Sequence, residues 1–223
     1  MTRLGVNIDH VATVRNARGS FHPDPFTIAK HVTKCGAHSV TIHLREDRRH
    51  IKDADVVKIC KNKKIITNLE ISLNEKIINI ALKNRPNFIC IVPEKRKEVT
   101  TEGGLNLIKN KKKIKTIISL FNKKNIRTSL FVDPTLKDIK IAKELNSSCV
   151  ELHTGKISNL VKENKNYKNE YSKIKKCSEL GVQLGIEVHA GHGLDYKTTS
   201  ILSKIKEITE FNIGHFIIGE SLT

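Results

Sequence analysis

The chain has 223 residues and a net charge of +17, and its apolar residues, 38% of the total, are spread evenly along it. A chain of this length can bury a substantial core and is compatible with a single domain. No stretch approaches the roughly 18 apolar residues of a membrane span, and the N-terminus shows no secretory signal pattern, so we expect no membrane association.

The cysteines of the chain predict its compartment. There are five of them at wide spacings, and they form neither a CxxC pair nor a metal-binding framework. An odd number at such spacings predicts reduced, mostly packed thiols and a cytoplasmic protein. The five are Cys35, Cys60, Cys90, Cys149 and Cys177.

The basic composition suggests a nucleic-acid partner, but the residue types argue against a specific one. Lysine far outnumbers arginine, and aromatic residues, which would stack on bases, make up only 4% of the chain. Many lysines fall in helix-like stretches such as 109–115 and 162–176, where they would form solvated faces. We therefore expect no specific nucleic-acid binding, whereas nonspecific binding of polyanions at low salt is compatible with the composition.

Short β-rich runs alternate with segments of helical period along the whole chain. The predicted strands cover residues 4–8, 39–44, 66–71, 88–92, 127–132, 149–153, 183–188 and 212–218. The predicted helices cover residues 26–35, 55–60, 74–82, 105–121, 135–145, 171–180 and 198–208.

Strands separated by single helices imply right-handed crossovers and a parallel sheet. Eight such units in 223 residues fit a closed (β/α)8 TIM barrel, forming one domain over residues 1–223, better than an open doubly wound sheet. The Rossmann and P-loop fingerprints are absent. Because the eighth predicted strand ends close to Thr223, the sequence predicts a barrel that lacks its last C-terminal helix.

Polar or ionisable side chains follow every predicted strand, and in a parallel barrel the carboxyl ends of the strands share one rim. In the run 43–50, an imidazole that can move protons near neutral pH stands beside forked guanidinium donors. A lone carboxyl such as Glu70 is more often a hydrogen-bonded structural partner, but repetition around the rim favours an active site. The strand ends carry Asn7, Asp9, His10, His43, Arg45, Glu70, Glu94, Asp133, Glu151, His153, His192 and His215.

Two Gly-His pairs predict a phosphate site. Gly193 with His192 and Gly214 with His215 follow the seventh and eighth predicted strands, where backbone N–H groups of barrel enzymes commonly bind phosphate. Two tight turns are the alternative. Arg45, His50 and Thr100 predict a weaker second anion site across the mouth, so two phosphorylated substrates and a condensation are expected.

The polar loop 94–104 ends in paired glycines and suits a lid that closes over charged substrates. An ordinary exposed loop is the alternative. The histidines of the rim suggest a metal site less strongly, because no compact HxH or HExxH spacing occurs, and we predict none.

Specific motifs extend from the first predicted strand to the last. They are 5–10, 15–19, 43–51, 68–70, 92–105, 151–155, 190–194 and 212–219. These motifs resemble the pyridoxine 5'-phosphate synthase family of vitamin B6 biosynthesis. The resemblance implies a cytoplasmic homo-oligomer, an octamer, that needs no cofactor. It also implies that 1-deoxy-D-xylulose 5-phosphate and 3-amino-2-oxopropyl phosphate are joined to give pyridoxine 5'-phosphate, phosphate and water.

The resemblance implies a role for each matching residue. His43 and Glu70 resemble the general bases of the family, His192 its general acid, and Glu151 the carboxylate that stabilises charge in transition states. The residues implied to hold the aminoketone phosphate are Asn7, Arg18, Gly193, Gly214 and His215. Those implied to hold the deoxyxylulose phosphate are Asp9, His10, Arg45, His50 and Thr100.

Two rival functions follow from the residues. Another phosphosugar barrel enzyme, an isomerase or an aldolase, is the first, but a Schiff-base aldolase should place a lysine inside a strand and the predicted strands offer no obvious one. A nucleic-acid-binding protein on a decayed enzyme scaffold is the second. Ionisable residues at every strand end argue against decay.

Overall fold

A closed barrel of eight parallel strands forms the centre of the computed structural model, which describes residues 2–94 and 103–222. Each strand pairs with the next, and the last pairs with the first, so the predicted (β/α)8 barrel is confirmed. The strands are Arg3–Asn7 (β1), Ser39–His43 (β2), Thr67–Ile71 (β3), Phe88–Ile91 (β4), Arg127–Val132 (β5), Cys149–His153 (β6), Glu187–Gly191 (β7) and Ile208–Ile213 (β8).

Helices separate the strands and pack on the outside of the barrel. The helix α4 shows why they form: Asn74 caps its first turn, and Ile77, Ile78 and Ala81 are buried on one face. The helices of the described ranges are Asp9–Arg18 (α1), Pro25–Lys34 (α2), Asp53–Lys61 (α3), Glu75–Asn84 (α4), Lys111–Asn122 (α5), Leu136–Glu144 (α6), Gly155–Lys162 (α7), Lys168–Gln183 (α8), Tyr196–Leu202 (α9) and His215–Glu220 (α10).

Successive side chains of each strand point alternately to an apolar outer layer beneath the helices and to a polar barrel interior. On β2, Val40 and Ile42 are fully buried against the helices. The residues that alternate with them, Ser39 and Thr41, face into the barrel. Ser39 donates to Glu210 at 3.2 Å, and Thr41 donates to Asn212 at 3.2 Å. Barrel interiors are usually filled by branched apolar side chains. Here the interior is polar, which brings chemistry to the barrel axis.

Two predicted strands are displaced, and the prediction is wrong there. Residues 183–188 were predicted as strand seven, but α8 continues to Gln183 and Gly185, with a left-handed φ of +70°, turns the chain before β7 begins at Glu187. The apolar run up to Ile218 was predicted as strand eight, but β8 ends at Ile213 and six residues after Gly214 form α10. The helices α1, α7 and α10 were not predicted, and the expectation that no helix follows the eighth strand is wrong, since α10 does so.

The cysteines agree with the prediction of reduced thiols. All five are free, and only Cys35 is exposed. Burial raises the pKa of Cys60 and of Cys177 to about 11, so these thiols are poor nucleophiles near neutral pH. None of the helices in the described ranges is long and apolar enough to cross a membrane.

A network of charged side chains closes the amino-terminal end of the barrel. Glu187 pairs with both Arg3 and Arg127, and Arg3 also donates from Nε to Glu210 at 2.8 Å. His189 lies between the two carboxylates, with Nε2 2.8 Å from Glu187 and Nδ1 3.8 Å from Glu210. Opposite charges thus alternate among β1, β5, β7 and β8, and we infer that this network stabilises the barrel.

The charge of His189 makes the stability of the fold depend on pH. Burial alone would lower the pKa of His189, but contacts with Cys149, Glu187 and Glu210 raise it from 6.5 to about 10. A raised pKa in the folded state contributes stability that is complete below pH 6.5 and is lost as the pH rises through about 10. We therefore expect His189→Gln to be destabilised most below pH 6.5 and least near pH 10.

Urea titrations of the wild type and of His189→Gln across this range measure the effect. His31→Gln, a change at an exposed position of α2, is the matched control and should show a constant difference from the wild type. If the loss in free energy of unfolding caused by His189→Gln grew with pH, the expected direction of the pH dependence would be contradicted.

Candidate active site

The carboxyl ends of β1 and β2 are joined through Asp9. Its Oδ2 accepts a hydrogen bond from Asn7 Nδ2 at 2.9 Å, and its Oδ1 accepts the backbone amide of His43 at 2.8 Å. The Asp9 amide in turn donates to Asn7 Oδ1 at 2.9 Å. Asp9 therefore holds two predicted site residues, Asn7 and His43, in fixed positions at the mouth of the barrel.

The imidazole of His43 lies between two carboxyl groups. Its Nδ1 is 3.7 Å from Glu70 Oε2, and its Nε2 is 3.7 Å from Glu94 Oε2. Glu94 was predicted at the end of strand four and the start of a lid, not as a contact of His43, so sequence reasoning missed this pairing. The signal available was the position of Glu94 three residues after β4, close to the carboxyl end of β3, where Glu70 lies.

Glu70 is poised to exchange protons. Burial and the charges of Asp9 and Glu151 raise its pKa well above the ordinary value of 4.5. A carboxyl group with a raised pKa is a stronger base than an exposed one and is populated in its protonated form closer to neutral pH.

Glu151 is a second carboxyl group of the barrel whose pKa is raised. Burial raises its pKa to about 7, with a further increase from Glu210, although His189 and the hydrogen bond from Asn212 oppose this. Asn212 Nδ2 donates to Glu151 Oε2 at 2.8 Å. A side chain at Gly191 would place its Cβ 2.0 Å from Glu151 Oε1, so only glycine leaves room for this carboxyl group.

His192 lies on a strained turn after β7. Its φ is +82°, a left-handed value that is uncommon outside glycine, and the Thr154 hydroxyl lies 2.7 Å from the carbonyl oxygens of both Gly191 and His192. The ring stands 4.8 Å from that of His153, centroid to centroid. Burial, the neighbouring His153 and Lys162 lower the pKa of His192 to about 4.

The predicted phosphate residues of β8 and β1 come together. A Cβ on Gly214 would lie 2.8 Å from that of Asn7, and the rings of His10 and His215 meet edge to face at 4.9 Å. Gly193 has a left-handed φ of +76°, and Lys162 Nζ donates to its carbonyl oxygen at 3.1 Å. Backbone N–H groups and imidazoles around one opening are suited to an oxyanion.

Asp9, His43 and His50 are the described residues whose grouping fits a metal ion, with one ligand atom each within 4.8 Å of the others. However, Asp9 Oδ1 accepts the His43 amide and His50 Nδ1 accepts the Ile51 amide at 2.9 Å. These lone pairs already serve the hydrogen-bond network.

Three further predicted site residues, Arg45, Arg18 and Thr100, do not share one location. Arg45 is buried, and its Nε lies 3.6 Å from Glu94 Oε1. Arg18 is exposed in the last turn of α1, about 13 Å along the helix from Asp9, so this chain alone does not bring it to the rim. Thr100 lies outside the described residues, as do 95–102 of the predicted lid.

Sequence reasoning also missed the contacts of His153 and Asn212. His153 Nδ1 lies 3.7 Å from Asp133 Oδ1, and Asp133 Oδ1 accepts the amide of Gly104 at 2.9 Å. His153 was predicted at the end of strand six without these contacts, whereas Asn212 was not predicted as a site residue and stands two positions before the predicted Gly214. That spacing of two was the available signal.

Comparison with known proteins assigns the family. The model of the family described as pyridoxal phosphate biosynthesis protein PdxJ matches residues 4–223. The chain belongs to this family. It is 92% identical over 223 residues to the pyridoxine 5'-phosphate synthase of Pelagibacter ubique, covering all of this chain and 93% of that protein. It is 47% identical to the enzyme of the same name from Zymomonas mobilis, covering 99% and 85%.

Solved structures of other enzymes share the fold. The 3-keto-L-gulonate-6-phosphate decarboxylase of Vibrio cholerae superposes with a TM-score of 0.66 at 13% identity, covering 96% of this chain and 88% of that one. At such low identity the likeness concerns the barrel alone.

The surroundings of His192 predict its titration. We expect His192 of the free protein to stay neutral until the pH falls to about 4, because burial and the nearby His153 and Lys162 disfavour its charged form. Lys162→Gln should raise this pKa, since it removes the charge of the lysine. Two-dimensional NMR of histidine-labelled protein measures both values, with exposed Lys168→Gln as control. A midpoint near 6.5 would contradict the expectation.

Proposed function

We propose that this chain is a pyridoxine 5'-phosphate synthase that joins 1-deoxy-D-xylulose 5-phosphate to 3-amino-2-oxopropyl phosphate. The products are pyridoxine 5'-phosphate, inorganic phosphate and water. The observation that carries the proposal is a set of ionisable groups on the strands of one barrel: His43 on β2, Glu70 on β3 and Glu151 on β6, with His192 directly after β7. Three of these groups have shifted pKa values. The name shared by the similar proteins of two organisms supports it.

The reaction consists of proton transfers, which this set of groups can perform. Ring closure requires imine formation, removal of protons from carbon, and loss of phosphate and water. Because the aminoketone brings its own amine, no lysine nucleophile is needed, and none of the eight strands contains a lysine. This composition also argues against an aldolase of the Schiff-base type.

Glu70 and His43 are proposed to act together as bases. Glu70 Oε2 faces His43 Nδ1 at 3.7 Å, a separation that is longer than a hydrogen bond and that substrate binding can shorten. The raised pKa of Glu70 makes it a stronger proton acceptor than an exposed carboxylate. Either partner can therefore receive a proton from substrate carbon and pass it to the other.

Glu151 is proposed to stabilise positive charge on the reacting atoms. With a pKa of about 7, it is partly ionised near neutral pH and can respond to a developing iminium by releasing its proton. Its position is fixed by Asn212 and by the absence of a side chain at Gly191. A fixed charge in a dry site stabilises a transition state without reorganisation.

His192 is proposed as the general acid, and its charge would depend on the substrate. In the free protein its pKa of about 4 keeps the imidazole neutral. A phosphate dianion bound by the N–H groups of Gly193 and Gly214 would favour the imidazolium form, because an opposite charge within about 4–6 Å raises the pKa of a histidine. The acid would thus be charged when there is a leaving group to protonate.

The second phosphate is proposed to bind near Arg45, His50 and His10. Burial lowers the pKa of His50 and of His10, so both are neutral donors before the anion arrives. We also propose a cytoplasmic location, in keeping with the free cysteines, and a homo-oligomer, whose size gel filtration with light scattering would measure.

Incubation of purified protein with both substrates tests the function. We expect pyridoxine 5'-phosphate and inorganic phosphate in equal amounts, and no product when either substrate is omitted. A folded sample that gives no product would contradict the proposal. Formation of a product from one substrate alone would favour an isomerase or lyase on the same barrel.

Replacement of Glu70 tests the base. Glu70→Gln keeps the volume of the side chain but removes the proton acceptor, so turnover should fall by about 10²-fold or more while the melting temperature stays close to that of the wild type. The control is Glu75→Gln, an exposed carboxyl in the first turn of α4. Turnover of Glu70→Gln that equals that of the control would remove Glu70 from the mechanism.

A further inference from the structure

His43 has a carboxyl group on each side of its ring, and only one of them has so far been given a role. Glu70 faces Nδ1 and Glu94 faces Nε2, each at 3.7 Å. Among the described residues, neither His43 Nε2 nor Glu94 Oε2 has a hydrogen-bond partner, although both atoms are buried. Two buried polar atoms that face each other without another partner indicate an interaction between them.

Glu94 is held rigidly in this position. Its side chain is only 2% exposed. Its Oε1 accepts the backbone amide of Glu46 at 2.9 Å and lies 3.6 Å from Arg45 Nε. Glu46 is itself fixed, since its Oε1 accepts the Ser72 hydroxyl at 2.9 Å. The orientation of Glu94 toward His43 is therefore set by the segment that follows β2.

The two carboxyl groups beside His43 differ in ionisation. Burial alone would raise the pKa of Glu94, but contact with His43, the hydrogen bond from Glu46 and the charge of Arg45 lower it below its usual value. For Glu70, burial and the neighbouring carboxylates raise the pKa. An ionised group thus faces Nε2, and a group that readily holds a proton faces Nδ1.

We propose that Glu94 is a positioning residue that keeps the proton of neutral His43 on Nε2, which leaves the Nδ1 lone pair facing Glu70. The proposal rests on the function proposed above, in which His43 and Glu70 act as bases.

The reason for this tautomer is electrostatic. A carboxylate attracts an N–H group and repels a lone pair, so an ionised Glu94 favours the hydrogen on the ring nitrogen that it faces. With Nε2 protonated, Nδ1 is the atom that can accept a proton from Glu70. Each proton that Glu70 takes from the substrate can then pass to Nδ1 without rotation of the ring.

The kinetic test uses Glu94→Gln. Glutamine keeps the volume and an oxygen that can accept the Glu46 amide. Its NH2 group would then face His43 Nε2 as a donor and would favour the ring hydrogen on Nδ1 instead. We expect kcat to fall by about 10-fold or more. Because Glu94 also lies beside Arg45, a proposed phosphate ligand, KM should change no more than in a control variant that removes another charge near Arg45.

Asp47→Asn is the matched control. Asp47 Oδ1 lies 3.9 Å from Arg45 Nε, so the variant removes one negative charge from the same neighbourhood without facing His43. Its side chain is 35% exposed. A kcat for Glu94→Gln that equals that of the control would overturn the proposal, as would a loss confined to KM.

Histidine NMR tests the tautomer directly and does not depend on activity. In wild-type protein labelled with 15N-histidine, the His43 signals, assigned by comparison with His43→Gln, should show the hydrogen on Nε2. A hydrogen on Nδ1 would overturn the proposal even if Glu94→Gln failed to fold. Absence of product from wild-type protein that shows the expected tautomer would contradict the proposed function and leave the placement of the proton intact.

Discussion

Burial of several carboxyl groups in the mouth of one barrel is the constraint on which the site depends. Asp9 and Glu151 both raise the pKa of Glu70, and Glu151 itself has a pKa of about 7. Little water is available to stabilise these charges, so the groups hold protons at a pH where exposed carboxyls would not. The neighbouring sequence accommodates them: Gly191 leaves room for Glu151, and Asn212 donates to it. Acid and base chemistry near neutral pH follows from this crowding.

The two ends of the barrel are electrostatically linked through its polar interior. At the amino-terminal end, Glu210 accepts from Arg3 and lies near His189. Both Glu210 and His189 also affect the pKa of Glu151, one raising it and the other lowering it. Members of the network that stabilises the strands therefore modify the pKa of Glu151, which burial raises and which pairs in register with His189 on the neighbouring strand. This link gives a physical reason for a polar interior in place of the usual apolar layers.

The sequence predicted the barrel and most of the rim, because both depend on local patterns. Short β-rich runs followed by polar residues identified the first six strands and placed two more near β7 and β8, and parallel topology required their carboxyl ends to meet. The boundaries of β7 and β8 were wrong, since apolar residues of α8 and α10 resemble strand residues until the turns at Gly185 and Gly214 are known. The contact of Glu94 with His43 joins the ends of two nonadjacent strands. A contact of that kind follows from barrel closure and side-chain direction, which no local pattern contains.

The two histidines proposed as base and acid owe their difference to their neighbours. His43 is flanked by carboxyl groups, one of which carries the charge, whereas His192 lies beside His153 and Lys162. Burial and the charge of Lys162 favour a neutral His192, whereas Glu70 and Glu94 face the two ring nitrogens of His43. Histidine is thus proposed as a base at one position of the barrel and as an acid at another. Under the proposed function a bound phosphate would supply a negative charge beside His192, so the acid would form only where substrate is present. This coupling would keep His192 neutral while no substrate is bound. It would link phosphate binding to proton donation through electrostatics alone.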